Sequence, residues 1–145
     1  MKELIIQLVS AWVGSLGFSL MFNSGKKVLL PGTLGGMLGW AVYLLAVELN
    51  LNSFVSAVIA AAFCQIYSEV FARVIKVPKT ILYIPAIVPL VPGGSLYYTM
   101  YNAAVSNWSQ FKFYGMQTLH VAFGIAVGAS FVSAIMLLLP AKKAK

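Results

Sequence analysis

The sequence predicts an all-α integral membrane protein of about five transmembrane helices, the fourth broken by a segment rich in proline and glycine. Of its 145 residues 61% are hydrophobic and only 9% are charged, against roughly 25% charged in a soluble domain. Mean hydropathy is +0.90. The apolar residues form long uncharged runs of the kind that a hydrocarbon layer about 30 Å thick asks of a spanning helix. They lack the alternation with period two that a membrane β-barrel needs. The ten Lys and Arg behind the net charge of +7 stand in short turns between the runs. That placement is a topology signal rather than a nucleic-acid surface.

The expected spans follow in order. Leu4 to Phe22 is the first, closed by the turn "NSGKK"; it exceeds the apolar run of a signal peptide and lacks a small-residue cleavage pattern after it. The second runs from about Leu29 to Val47, with Pro31 placed near its start, where an amide has no intrahelical partner to lose. The third, about Ser53 to Ile75, ends before Pro78, which forbids continuation. The fourth, Ile81 to Val105, holds "IPAIVPLVPGG". The fifth extends from about Phe111 to Leu139, closed by Pro140 and a lysine tail. The chain is thus expected to be one polytopic domain over residues 1–145, with no polar stretch longer than about eight residues to house a soluble module.

Basic residues in short loops test whether the proline-rich segment crosses. With five crossings, Lys2 and Lys112 share one side. Lys26, Lys27, Arg73, Lys76, Lys79, Lys142, Lys143 and Lys145 share the other, two against eight. Were the fourth segment to dip in and return, the split would be six against four. Five crossings give the sharper bias, with the N-terminus outside and the C-terminus cytoplasmic. Tyr97, Tyr98, Tyr101, Trp108, Phe111, Phe113 and Tyr114 then form an aromatic belt around the outer loop.

Small residues mark the packing faces. Gly32 and Gly36, and Gly35 and Gly39, are spaced by four in the second span, and Gly124 and Gly128 in the last; such spacing lets helix backbones approach closely. Cys64 has no partner for a disulfide and no metal-ligand companions, and reads as a core residue. Gln65, Glu69, Arg73 and Lys76 share one face of the third span. Glu69 lies about 7 Å from that span's midpoint, deep enough that its carboxylate must face protein or water. It is either a proton-coupling group or the partner of Arg73. His120, the single histidine, is the second candidate for proton coupling, because imidazole ordinarily titrates near neutral pH. Ser95 or Ser130 with His120 would make an intramembrane hydrolase, but neither serine stands in a specific catalytic context, and the sequence calls for no enzyme, no metal and no cofactor.

Proline inside a helix removes a hydrogen bond and clashes with the preceding turn, so Pro85, Pro89 and Pro92 followed by Gly93 and Gly94 are expected to open the fourth helix outright. Non-helical backbone at membrane depth needs protein or a wet cavity against it, and discontinuous helices form the midplane sites of many secondary transporters. A half-helix starting near Gly94 or Ser95 would aim free amides into the break, which suits a carboxylate. The expected substrate-binding residues are Pro89, Pro92, Gly93, Gly94, Ser95, Tyr98 and Asn102.

The run "IPAIVPLVPGGSLYYTMYNA", with "LLPGTLGGMLGWAVYLL" before it, resembles the membrane domain of the threonine/serine exporter (ThrE-type) family, and in particular its short, stand-alone members. The resemblance covers nearly the whole chain, and its most specific part is Pro89, Pro92, Gly93, Gly94 and Tyr98. It implies one subunit of a proton-motive-force-driven exporter of small hydrophilic metabolites, threonine and serine or a dicarboxylate such as succinate, in the bacterial cytoplasmic membrane. It also implies a second multi-span subunit carrying an extra soluble region. The expected partners are therefore the lipid bilayer, that subunit and a small-molecule substrate, without nucleic acid. The alternative is a small membrane scaffold that stabilises a larger transporter.

Overall fold

The computed structural model describes residues 2–138. Pro140, Lys142, Lys143 and Lys145, which close the last expected span and enter the charge count, lie outside the described residues. Six α-helices are present among the described residues: α1 Lys2–Met21, α2 Lys26–Glu48, α3 Ser53–Ile75, α4 Lys79–Ile87, α5 Gly93–Ala104 and α6 Trp108–Leu138, with a 3₁₀ turn, Val88–Leu90, between α4 and α5. Helices α1, α2, α3 and α6 are each long and apolar enough to cross a membrane. Lys79–Leu90 and Gly93–Ala104 qualify together as one span bent by 52°.

The hairpins between spans turn on non-glycine residues in the left-handed region: Asn23 (φ 50°), Asn50 (φ 58°), Lys76 (φ 60°) and Ser106 (φ 58°). Asparagine tolerates this conformation better than most residues. Asn52 then starts α3, its Oδ1 accepting the Val55 N–H at 2.9 Å as an N-cap. These turns gather Lys26, Lys27, Arg73, Lys76 and Lys79 at one end of the bundle, the basic end, and leave Lys2 and Lys112 at the other.

Two prolines behave differently from expectation. Helix α2 begins at Lys26 rather than near Leu29, so Pro31 lies in its second turn and not its first. The Pro31 carbonyl accepts the Tyr67 hydroxyl at 2.8 Å, which ties α3 to that turn. Nor does Pro85 open the fourth span: it is carried inside α4, fully buried. One missing amide is tolerable where neighbouring helices enclose the turn, and here glycines make the enclosure. A Cβ on Gly32 would stand 3.6 Å from Pro85 Cγ, and one on Gly36 3.0 Å from the Pro85 carbonyl oxygen. The helix gives way only after Ile87, where Pro89 and Pro92 remove two further donors. Val91, disfavoured from helix by the proline after it, is extended (φ −60°, ψ 126°), and Pro92 heads α5.

Helix α1 packs on α2, α2 on α3 and α4, α4 on α3, α3 on α6, and α5 on α6. Small residues make these seams. Helix α3 buries Ser56, Ala57, Ala60, Ala61 and Cys64. The buried residues of α1 are Ser15 and Ser19, while Leu4, Ile5, Ile6, Val9 and Val13 are exposed. Lipid gives apolar side chains no reason to turn inward, so close backbone approach decides the interface. A Cβ on Gly36 would overlap Ser15 Oγ, one on Gly39 Cys64 Sγ, and one on Gly128 the Val58 carbonyl oxygen. Added Cβ atoms at Gly35 and Gly124 would lie 2.7 Å from the Tyr67 ring and 2.6 Å from the Phe54 carbonyl oxygen.

Gly128→Val therefore forces α6 off the α3 backbone and is expected to cost about 2 kcal/mol, read as a lower thermal midpoint in detergent. Gly94→Ala meets nothing within 4 Å and is expected to keep the midpoint of the native chain.

Candidate functional site

The bend in the fourth span determines where polar groups can meet. Helices α4 and α6 both pack on α3, whereas α5 packs on α6. The span leans against α6 in its second half and stands away from it in its first. The gap is a cleft of about 440 Å³ lined by Gln65 of α3, Lys79, Thr80 and Tyr83 of α4, and Ser130 and Ser133 of α6. It lies toward the basic end, between the start of α4 and the last turns of α6. Buried Gln65 donates from Nε2 to Ser133 Oγ at 2.8 Å and joins α3 to α6 beside it.

Glu69 stands one turn beyond Gln65. Its Oε1 accepts from Arg73 Nη2 at 2.9 Å and Nε at 3.2 Å, and its Oε2 lies 3.5 Å from Lys79 Nζ. Its side chain is 17% exposed, against 62% for Arg73 and 44% for Lys79. The carboxylate faces two cations, as its depth requires: one on its own helix and one on α4. Lys76, expected on the same face, is the left-handed cap of α3. Lys79 enters the sequence argument only as loop charge. Its place just after Pro78, at the first position of α4, is the signal that could have found it, because the turn brings that position back beside the end of α3.

The 3₁₀ turn packs on α1 and α2 and buries Leu90, whereas the second part of the break faces away from the bundle. Val91, Gly93 and Gly94 are exposed, and nothing lies within 4 Å of a Cβ built on either glycine. The Pro92 carbonyl accepts the Leu96 N–H at 3.0 Å and the Ser95 hydroxyl at 3.2 Å, and the Gly93 N–H donates to Val91 O at 2.7 Å. The amides of Gly94 and Ser95 have no partner among the described residues. Further along α5, the Thr99 hydroxyl donates to Ser95 O at 2.7 Å, and buried Asn102 donates from Nδ2 to Tyr98 O at 2.7 Å. The Tyr98 ring stacks on Tyr114 at 5.1 Å. Ser95 thus spends its hydroxyl hydrogen, and Asn102 one of its two amide hydrogens, on the helix, and both keep oxygen acceptors. Pro89 lines a separate small hollow with Gln7, Ser10 and Trp40.

Other chemistry-bearing residues lie apart. His120 is exposed near the end opposite the basic one, in a shallow depression with Ser53, Phe113, Met116 and Gln117. Ser130 and His120 are ten residues apart on α6, about 15 Å along its axis, so the two do not meet within this chain. Cys64 is fully buried, and its thiol donates to the Ala86 carbonyl at 3.4 Å. No group of His, Cys, Asp and Glu among the described residues is arranged to hold a metal.

An all-α multi-pass membrane protein with one span opened midway has the architecture of transport proteins that bind solutes at discontinuous helices. The model of the threonine/serine exporter family, ThrE, matches residues 7–135, and the chain belongs to that family. It is a threonine/serine exporter-type transporter, from a family of transporters rather than enzymes. No solved structure matches the chain.

The Gln65–Ser133 bond predicts a double-mutant result. Gln65→Ala and Ser133→Ala are each expected to lower stability in detergent by about 1 kcal/mol. The double variant is expected to lose little more than the larger single loss, the sign of a shared interaction.

Proposed function

We propose that this chain is one subunit of a proton-motive-force-driven exporter of small hydrophilic metabolites, threonine and serine or a dicarboxylate such as succinate. It works in the bacterial cytoplasmic membrane as a single polytopic domain, with its N-terminus outside and its C-terminus and basic end cytoplasmic. The observation that carries this reading is the uncovered break. At the middle of a bent span, Gly94 and Ser95 present unpaired amides on a face that the described chain does not enclose. Bare backbone at that depth must lie against protein or a wet cavity. A second multi-span subunit, with its extra soluble region, would supply the missing wall.

In this reading Pro89, Pro92, Gly93 and Gly94 hold the break open. The first amides of α5 receive a solute carboxylate with the helix dipole in their favour, and Ser95, Tyr98 and Asn102 offer oxygen acceptors and an aromatic wall along the half-helix. Glu69 and His120 are the proton-coupling candidates, one held between two cations and the other open at the far end. Protonating Glu69 would loosen Arg73 and Lys79 together. That single event could change the fit between α3 and α4.

Vesicles containing this chain and its partner subunit are expected to release substrate at a rate that an uncoupler abolishes. Replacing Pro92, Gly93 and Gly94 with leucine or alanine is expected to slow efflux by about tenfold or more, since small misplacements of a solute site are costly. Unchanged efflux in that variant would remove the break from the pathway.

A further inference from the structure

We propose that the cleft between α4 and α6 is a second solute site, for a carboxylate, in which Lys79 is the anion ligand and Glu69 its resident competitor. The two contacts of Glu69 are unequal. Arg73 approaches to 2.9 Å, and Lys79 stands at 3.5 Å while also lining the cleft. Lysine is a compact charge on a flexible stem, so its ammonium can turn from Glu69 to an anion in the cleft with little rearrangement. Glu69 then keeps Arg73, and neither carboxylate is left without a cation. An exchange of this kind avoids the stranded charge that makes broken ion pairs costly away from water.

The remaining lining is mixed, with Ala129, Ala134 and Leu137 giving an apolar floor and a few convergent polar groups set in it, as small-molecule sites are built. Tyr83 lies one turn beyond Lys79 on the same face of α4, Thr80 adds a hydroxyl, Ser130 and Ser133 line the opposite wall, and Gln65 stands on α3 between them. The volume of about 440 Å³ is within the range of small-molecule sites. The cleft and the α5 amides share a preference for a carboxylate but stand on opposite sides of the bend. An amino acid and a dicarboxylate both carry the required group. The inference rests on the exporter reading only for the expectation that such solutes reach this face.

The test uses the full chain in lipid nanodiscs, with its partner subunit where one co-purifies, and Ser130→Cys as a reporter labelled by a small thiol reagent. Cys64, fully enclosed, gives the unlabelled baseline in the parent chain. Succinate or L-threonine is expected to slow labelling, and succinamide and L-threoninamide, which lack the carboxylate, are not. Lys79→Gln is expected to raise the protecting concentration about tenfold or more. Glu69→Gln, which frees Lys79, is expected to lower it about threefold. Arg73→Gln, which leaves Glu69 to Lys79 alone, is expected to raise it, and it keeps the test decisive if Lys79→Gln fails to assemble. Equal protection by the amides, no protection at all, or protection indifferent to all three charge changes would overturn the proposal. Efflux measured alongside separates the two readings. Efflux absent with Lys79-dependent protection intact supports the cleft and counts against the exporter reading, whereas efflux intact without protection overturns the cleft.

Discussion

Backbone polar groups removed from water must be paired, and the course of this chain between Ile81 and Leu96 follows from that requirement. Proline at 85, 89 and 92 withdraws three donors, and several carbonyls of the segment take other partners. The Val91 N–H takes the Val88 carbonyl at 3.1 Å, the Cys64 thiol takes Ala86 O, and the Ser95 hydroxyl and Leu96 N–H share Pro92 O. Glycines on α2 admit the Pro85 ring. Two adjacent amides, those of Gly94 and Ser95, take no partner among the described residues, at the point where the span changes direction.

The same bend accounts for the cleft. Because α5 turns onto α6, α4 is left against α2 and α3, and a gap remains between α4 and α6. Charge follows this geometry. Glu69 is held between one cation supplied by its own helix and another by the helix that the turn at Lys76 and Pro78 returns to it.

The membrane class, the family and the broken fourth span were legible in the sequence, because each rests on composition, run length or a local motif. The limit of α3 at Ile75 could be read from Pro78, and the Glu69–Arg73 pair from its spacing of four. Where the fourth helix opens could not be read so finely. Whether a proline breaks a helix depends on what encloses it, and the glycines that enclose Pro85 lie some fifty positions earlier. The cleft was illegible for a similar reason. Lys79, Gln65 and Ser133 are brought together by a bend angle and a helix seam that no single segment encodes. Nor could apolar periodicity say which side of each helix faces inward, since spans apolar all round carry no directional signal; on α2 and α6 the glycine spacing carries it instead.

Helix α1 shows what that absence means for inheritance. Its attachment depends on the modest bulk of Ser15 and Ser19 against α2 rather than on the leucines and isoleucines that dominate its composition. Drift among its greasy positions leaves the seam untouched, whereas one methylene too many at either serine levers the helix away. Two lineages could therefore diverge widely in the most conspicuous part of this segment and still build the same joint, so long as its two least conspicuous residues remain small.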